Sequence, residues 1–578
     1  MVAGAVALTA IATAAVLVAS GPSPPRNPFA GTATVVPDAA WDDLFQSYGD
    51  TSTAWSGGDG AQSLLLPGGA TEWFFADTYL GKTDPDGTRP PLNTGLAHNS
   101  AVLYRDGSLG PTYAAPAGTG YTDTGDYTWV DPPPAYPASR YELINGDQVI
   151  DHGTVYKFYQ LADRDLHPAG FGYKLVGTVI ESFSVNPVTG ELTPAGGAPV
   201  RVEDTAGSDP VIWGAATLVS GGYIYIYGVR PYNGTASPFP LYLARVPVGG
   251  LAAADAWQYY DGQPGCSPPA SSWTDSPRLA TALRTGVSAG FSVTDVDGTY
   301  VLLTSDSSGR DSSGGGTSSD AVAYYARCPT GFSPSSPEYG IYEPRLPYGY
   351  IAYEYRIVPQ FSSGRDVLVS YSTDTFRVDG SCLGESYYDA AVYRPRFLDV
   401  RLPGIRGRAG TIADPRAQAP PAFAAPAVPP SLESLHPSGA ADHYVASHCR
   451  PGTPPAQAPR LTVTSGGTGE VSLSWTMRPA AMWMYTIVYC DTSSTDCGAS
   501  LTSLSGNDPA CTPAAAPNGA CGFILDWAGT TGGLRYLLPG NTYEVQVSAA
   551  NAVPDSASSW SNVVTVTIGQ DGQPVLDG

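Results

Sequence analysis

Between residues 57 and 375 the apolar positions fall into paired runs. Each pair is an apolar run, a tight turn containing Gly, and a second run rich in aromatic and β-branched residues. Five segments carry this pattern: 57–78 (GGDGAQSLLLPGGATEWFFADT), 144–160 (INGDQVIDHGTVYKFYQ), 211–229 (VIWGAATLVSGGYIYIYGV), 286–306 (GVSAGFSVTDVDGTYVLLTSD) and 353–375 (YEYRIVPQFSSGRDVLVSYSTDT). Turns such as GG, HG, DG and SSG between β-forming runs predict hairpins. The starts recur at intervals of roughly 65 to 90 residues, leaving room for two more strands each, which predicts one propeller blade per repeat. A two-sheet sandwich of unequal hairpins is the alternative on pattern alone.

The pattern changes after residue 403. Residues 404–457 hold runs such as APPAFAAPAVPP and read as a semi-extended linker. Beyond it, VSLSW (471–475) alternates with Trp475 inward, YTIVY (485–489) follows, and LPGNTYEVQVSAAN (538–551) places Tyr543 as a corner tyrosine. Residues 458–570 are thereby similar to a fibronectin type III domain, an immunoglobulin-like sandwich, with 571–578 a tail. Composition agrees with an all-β chain: 36 Tyr, Gly and Pro together about a fifth of 578 residues, and only 14% charged. The reading is a five-bladed β-propeller over 31–403 followed by the sandwich.

Residues 2–19 are small and apolar, then come Ser20, Gly21 and a Pro-rich stretch. Residues 1–30 read as a signal for export with cleavage, although the first basic residue is Arg26; an uncleaved envelope anchor is the alternative. The protein is thus expected to be secreted. Eight Cys suit an oxidising compartment. Cys490 with Cys497 and Cys511 with Cys521 are expected as local disulfides; Cys266, Cys328, Cys382 and Cys449 would form two more, with open connectivity. The net charge of −23 argues against nucleic acid and serves solubility or a neutral, sugar-like substrate. No organic cofactor is implied, a structural Ca²⁺ on the propeller axis is allowed for, and a monomer is expected.

Chemistry concentrates on the first hairpin. Asp59 lies nine residues before the centre of the turn and Asp77 nine after it, so a regular hairpin sets the two carboxylates opposite one another. Such a pair suits acid and base work at a glycosidic bond, and the glycines around Asp59 let the backbone approach a ligand. Against this stands a strand-end cap, because Asp306 in TSDS and Asp374 in STDT end their hairpins as Asp77 does. His98 and Asn99 follow on a loop, Asp147 takes the place of Asp59 in the second repeat, and Trp213 offers either a stacking platform or a core side chain. Arg394 and Arg396 in YRPRF are expected to lock the last blade.

The stretch WSGGDGAQSLLLPGGATEWFFADTYLG (55–81), with HNS at 98–100, resembles the opening blade of a family of bacterial five-bladed propellers. That family was long listed as of unknown function, is frequent in actinobacteria, and is related to endo-D-arabinanases of cell-wall arabinan. FGYKLVGTVIESFSV (171–185), WGAATL (213–218), LYLARVP (241–247), AWQYYDG (256–262), GVSAGFSV (286–293), PQFSSG with LVSYS (359–372) and YRPRF (393–397) continue the resemblance in order over about residues 40–403. It implies a secreted glycoside hydrolase on a furanose polysaccharide, D-arabinan foremost, with Asp59 and Asp77 as acid and base. His98, Asn99, Asp147, Trp213, Ser288 and Arg356 would then be substrate contacts. Three departures matter: ADT stands for GDT, NGDQ in the second blade stands where a fuller GDG is common, and Tyr355-Arg356-Ile357-Val358 lacks the family's His before PQFS. A glycan-binding envelope protein without catalysis is the alternative these departures leave open.

Overall fold

The computed structural model describes residues 33–90, 94–114, 126–164, 174–195, 200–202, 210–230, 239–306, 319–342, 344, 350–375, 385–405, 412 and 415. In the C-terminal region it describes 458–465, 471–476, 484–492, 521–526, 531–534, 537, 539–550 and 561–576. The expected leader and most of the expected linker lie outside these residues.

The chain is mostly β, with few helices. All five anticipated hairpins form, each opening an antiparallel meander. The first meander runs Gln62–Leu65, Thr71–Phe75, Ser100–Arg105, Ser108–Tyr113; its strands extend at one end into a smaller sheet containing Trp55–Gly58 and Thr78–Leu80. The second opens on Tyr141–Asp151 and Thr154–Asp163, the third on Ile212–Ser220 and Tyr223–Val229, and the fourth on Phe291–Val296 and Thr299–Ser305. The fifth is Tyr350–Ile357, Asp366–Thr375 and Arg396–Arg401, completed by Thr34–Pro37 from the start of the chain.

The opening strands touch in succession from first to fifth. The fifth returns to the first: Gly60 N donates to Ser372 Oγ at 2.8 Å, and Ser370 Oγ to the Ala61 carbonyl at 3.1 Å. The meanders therefore form a closed ring with their opening strands innermost. Between meanders the core is apolar, as where Leu143, Val155 and Leu161 meet Leu66, Phe74 and Leu103.

Every opening strand is interrupted near its middle. The breaks fall between Gly58 and Gln62, Asn145 and Gln148, Trp213 and Ala216, Val287 and Phe291, and Tyr353 and Arg356. An extra residue in a strand re-aims the side chains beside it. Asp59, Asp147, Gly214, Ser288 and Glu354 all sit at these breaks, at one level of the inner wall.

Helix α1 (Ala39–Thr51) was not anticipated by the hairpin pattern. Asp38 caps it, its carboxylate accepting from the Ala40 and Trp41 N–H groups at 2.9 and 3.0 Å. Trp41 and Phe45, one turn apart, pack on Trp55, Trp73, Phe75 and Phe397 and fill the seam between first and fifth meanders. Arg394 locks that seam as expected: its guanidinium donates to Ser56 O (2.8 Å), Gln46 O (3.1 Å), Gln46 Oε1 (3.0 Å) and Asp50 Oδ1 (2.9 Å). The expected linker begins later than residue 404, because Ile405 is buried, Ile412 packs beside α1 and Tyr104 donates to the Pro415 carbonyl.

In the C-terminal region two antiparallel sheets share one core. Leu461, Leu473 and Trp475 of one meet Tyr489, Tyr543, Val547 and Val566 of the other. Cys266 and Cys328 are joined by a disulfide. Cys490 is disulfide-bonded and lies opposite Cys521 in the strand pairing. Cys382, Cys449, Cys497 and Cys511 lie outside the described residues.

Candidate functional site

The first hairpin pairs Gln62 with Phe74 and Leu65 with Thr71. The same register carried past the break meets Asp59 and Asp77, where the Asp59 N–H donates to the Asp77 carbonyl at 3.2 Å, before regular pairing resumes at Gly58 and Thr78. The two expected partners are thus opposed on neighbouring strands, with the three-residue break freeing Asp59 from a regular pleat. Asp77 is half exposed, and its Oδ1 lies 3.1 Å from His98 Nδ1. Glu142 Oε2 approaches the same His98 nitrogen at 3.4 Å. His98 therefore belongs to this site.

Asp59 sits deeper. Tyr353 donates its hydroxyl to Asp59 Oδ2 at 2.8 Å, the Tyr393 phenol stands near enough to favour the ionised carboxyl, and Asp59 Oδ1 has no hydrogen-bond partner. Burial pushes the Asp59 carboxyl well above the usual carboxylate range, and the negative charges of Glu354 and Asp77 push it further; the two phenols oppose this. An enclosed aspartic acid whose proton is favoured, beside a more exposed carboxyl group, is the kind of pairing that acid–base chemistry uses.

Glu354 and Asp374 are neighbours that motif reading did not assign to the site. Glu354 lies at the fifth break with φ 54°, and an added Cβ on Gly60 or Gly290 would come within 2.9 Å of its Oε2 or 2.5 Å of its Cγ. The one signal for it in sequence was a Glu on the face of YEYR that alternates with tyrosines. Asp374, read as a strand-end cap, does bond the Thr375 N–H at 2.7 Å. It also stands within electrostatic reach of Asp77, and burial pushes its carboxyl up to about 7.

The remaining candidate contacts go elsewhere. Asn99 is buried, accepting from Val130 N (2.8 Å) and donating to the Val130 and Leu143 carbonyls, so it braces a loop rather than a ligand. Trp213 is wholly buried among Val149, Phe158 and Tyr259 and offers no platform for a sugar. Ser288 is buried too, bonded to Gly290 O at 2.6 Å and Thr304 Oγ1 at 2.8 Å. Asp147 accepts from the Thr217 N–H and hydroxyl at 2.6 and 2.9 Å, tying the second meander to the third. Arg356 is buried and donates to the Phe291 and Ala215 carbonyls at 2.7 and 3.3 Å. Their polar groups are used to hold meanders together, which spacing alone does not distinguish from ligand contact.

Asp147 and Arg356 also line a cavity of about 420 Å³ with Gln62, Thr217, Ser292 and Gln360. Neither Asp59 nor Asp77 lines it, although Ala61, beside the same break as Asp59, does. Among the described residues no group of three or more His, Cys, Asp or Glu is arranged to hold a metal ion. No described helix is long and apolar enough to cross a membrane.

The family described as Domain of unknown function (DUF5005) matches residues 42–403, from α1 to the last strand of the ring. The chain belongs to this family. No curated protein matches it. Among solved structures, a candidate hydrolase from Bacteroides ovatus is similar at 19% identity, covering 64% of this chain and 90% of the other, with a TM-score of 0.47. An inulosucrase from Halalkalicoccus jeotgali bound to kestose is similar at 15% identity, 64% and 91% coverage, and a TM-score of 0.37. An alpha-L-arabinanase mutant from Cellvibrio cellulosa has 10% identity, 60% and 91% coverage, and a TM-score of 0.31. With TM-scores below 0.5 these likenesses decide nothing about chemistry, which has to be argued from the site.

Proposed function

We propose that this protein is a secreted glycoside hydrolase acting on a furanose polysaccharide, with D-arabinan the first substrate to try. The ring would be its catalytic five-bladed propeller and the C-terminal sandwich a fibronectin type III accessory module. One observation carries the reading: two aspartates opposed at the break in the first opening strand, one enclosed with its proton favoured, the other half exposed and bonded to His98. Asp59 would give its proton to the glycosidic oxygen as the C–O bond breaks. Asp77 would act on the opposite side, as base toward water or as nucleophile toward the anomeric carbon.

The test is incubation of the full chain with a panel of arabinans and other furanans, read by new reducing ends. Asp59→Asn and Asp77→Asn should each lower the rate on the order of 10³-fold with folding kept. Asp295→Asn, at an exposed position near the end of a strand, is the control; Asp374 is too close to Asp77 to serve. Equal cleavage by the wild type and either Asn variant ends the assignment. Binding of a furanan without any cleavage would instead favour the glycan-binding alternative.

A further inference from the structure

The five opening strands close around the cavity of about 420 Å³, and each contributes to its wall: Gln62, Gln148, Thr217, Ser292 and Arg356, one per strand in ring order. Every one of these residues follows the break in its own strand, on the side that runs to the hairpin turn. Leu65, three residues past Gln62 and so about 10 Å further along, also lines the cavity and is half exposed beside the first turn. The cavity is therefore an axial well that opens among the hairpin turns. Asp59 and Asp77 stand at the opposite end of the first break, beside the Gly58–Thr78 pair.

Hydrogen bonding in the wall of this well is one-sided. Lys157 Nζ donates to the amide oxygens of Gln62 at 2.7 Å and Gln148 at 3.0 Å. Asp147 takes the Thr217 N–H and hydroxyl on Oδ2, at 2.6 and 2.9 Å. The donors are not matched in the same way. With its oxygen held by Lys157, the Gln62 amide has no partner for Nε2, and neither Arg356 Nε nor Gln360 Nε2 has one. Gln62 and Arg356 are each more than nine-tenths buried, where an unmet N–H costs stability. The Arg356 guanidinium is fixed by Nη1, which donates to the Phe291 and Ala215 carbonyls at 2.7 and 3.3 Å.

We propose that the axial well is a binding site for a small organic carboxylate, whose oxygens accept from Arg356 Nε and the Gln62 and Gln360 amides. A carboxylate brings acceptors to a wall with donors to spare, and it offsets a buried guanidinium. The volume exceeds that of a bare carboxylate and lies in the range of small-ligand sites, roughly 300 Å³ upward. Hydroxyls of Thr217, Ser292 and Ser370 around it suit a hydroxylated carbon chain, so the class is a sugar acid. Neither Asp59 nor Asp77 takes part, and the site stands apart from the hydrolase reading.

Titration calorimetry of the full chain compares D-gluconate with sorbitol, the same carbon chain with a hydroxymethyl group in place of the carboxylate. Gluconate should bind with a Kd of about 1 mM or tighter, and sorbitol about tenfold or more weakly. Gln360→Glu exchanges a donor for a negative charge and should weaken gluconate about tenfold or more, with the melting temperature unchanged. If that variant melts lower, Gln360→Ala takes its place and should weaken gluconate about fivefold through the lost donor. Asp59→Asn should bind gluconate as the wild type does, because the ligand sits in the well and not at the paired aspartates. No heat with gluconate, equal affinity for sorbitol, affinity unmoved by the Gln360 variants, or affinity lost in Asp59→Asn each overturns the proposal.

Discussion

Replacing Arg394 with Met removes the guanidinium that joins helix α1 to the first meander while keeping most of the side-chain volume. The native group is buried and makes four hydrogen bonds, to two backbone carbonyls, one amide oxygen and the Asp50 carboxylate. Ser56 O keeps a second donor from Arg89, and Asp50 is exposed enough to recover water. The uncompensated losses are the Gln46 acceptors and the charge-assisted bond, so the cost should be about 3 to 5 kcal/mol. For a ring of roughly 370 residues, unfolding entropy near 2 cal/mol/K per residue converts about 4 kcal/mol into about 5 °C. Scanning calorimetry of the full chain should show the ring transition lowered by that amount. Arg396, three-tenths exposed and 3.9 Å from Asp42, is the internal comparison: Arg396→Gln should cost about 1 kcal/mol or less. If Arg394→Met melts within about 1 °C of the wild type, or no lower than Arg396→Gln, the seam is not held by this guanidinium and the reasoning from burial is wrong.

Two other expectations follow from geometry already described. The Tyr353 hydroxyl favours the ionised form of Asp59, so Tyr353→Phe should raise the Asp59 midpoint. An acid that must be protonated loses activity as pH rises through that midpoint, so the alkaline limb of the rate profile should move to higher pH, by about one unit or less; a shift to lower pH contradicts the assignment of Asp59 as acid. Peptide mapping of the unreduced protein should find Cys490 linked to Cys521, its partner in the strand register, and recovery of a Cys490–Cys497 peptide would restore the sequence-local pairing.

Legibility from sequence followed the physics of each element. Hairpins announce themselves, because turn glycines and β-branched runs are local, and the symmetry of Asp59 and Asp77 about one turn needed only counting. Helix α1 was readable in principle from Trp41, Phe45 and Tyr48, spaced for one helix face, but a search for alternating strands passes over it. Trp213 and Asp147 were misleading for one reason: an aromatic ring or a carboxylate at a strand break looks the same whether it meets a ligand or the neighbouring meander. Glu354 was hidden because the two glycines beside it, Gly60 and Gly290, are distant in sequence, and only the ring brings them to it.

The pairing of Thr34 with Arg401 bears on how this chain acquires its shape. Closing so long a loop costs only about 5 kcal/mol, since the entropy grows with the logarithm of length, but it sets an order of events. Four meanders can form as the polypeptide emerges, each from neighbours in sequence, whereas the fifth lacks its outer strand until both extremities of the ring coexist. Asp59 belongs to the first meander, and Tyr353, Tyr393 and Glu354, which set its acidity, belong to the last. Competence at the site would therefore arrive only with closure, leaving a half-made chain with a ladder of strands and no working acid.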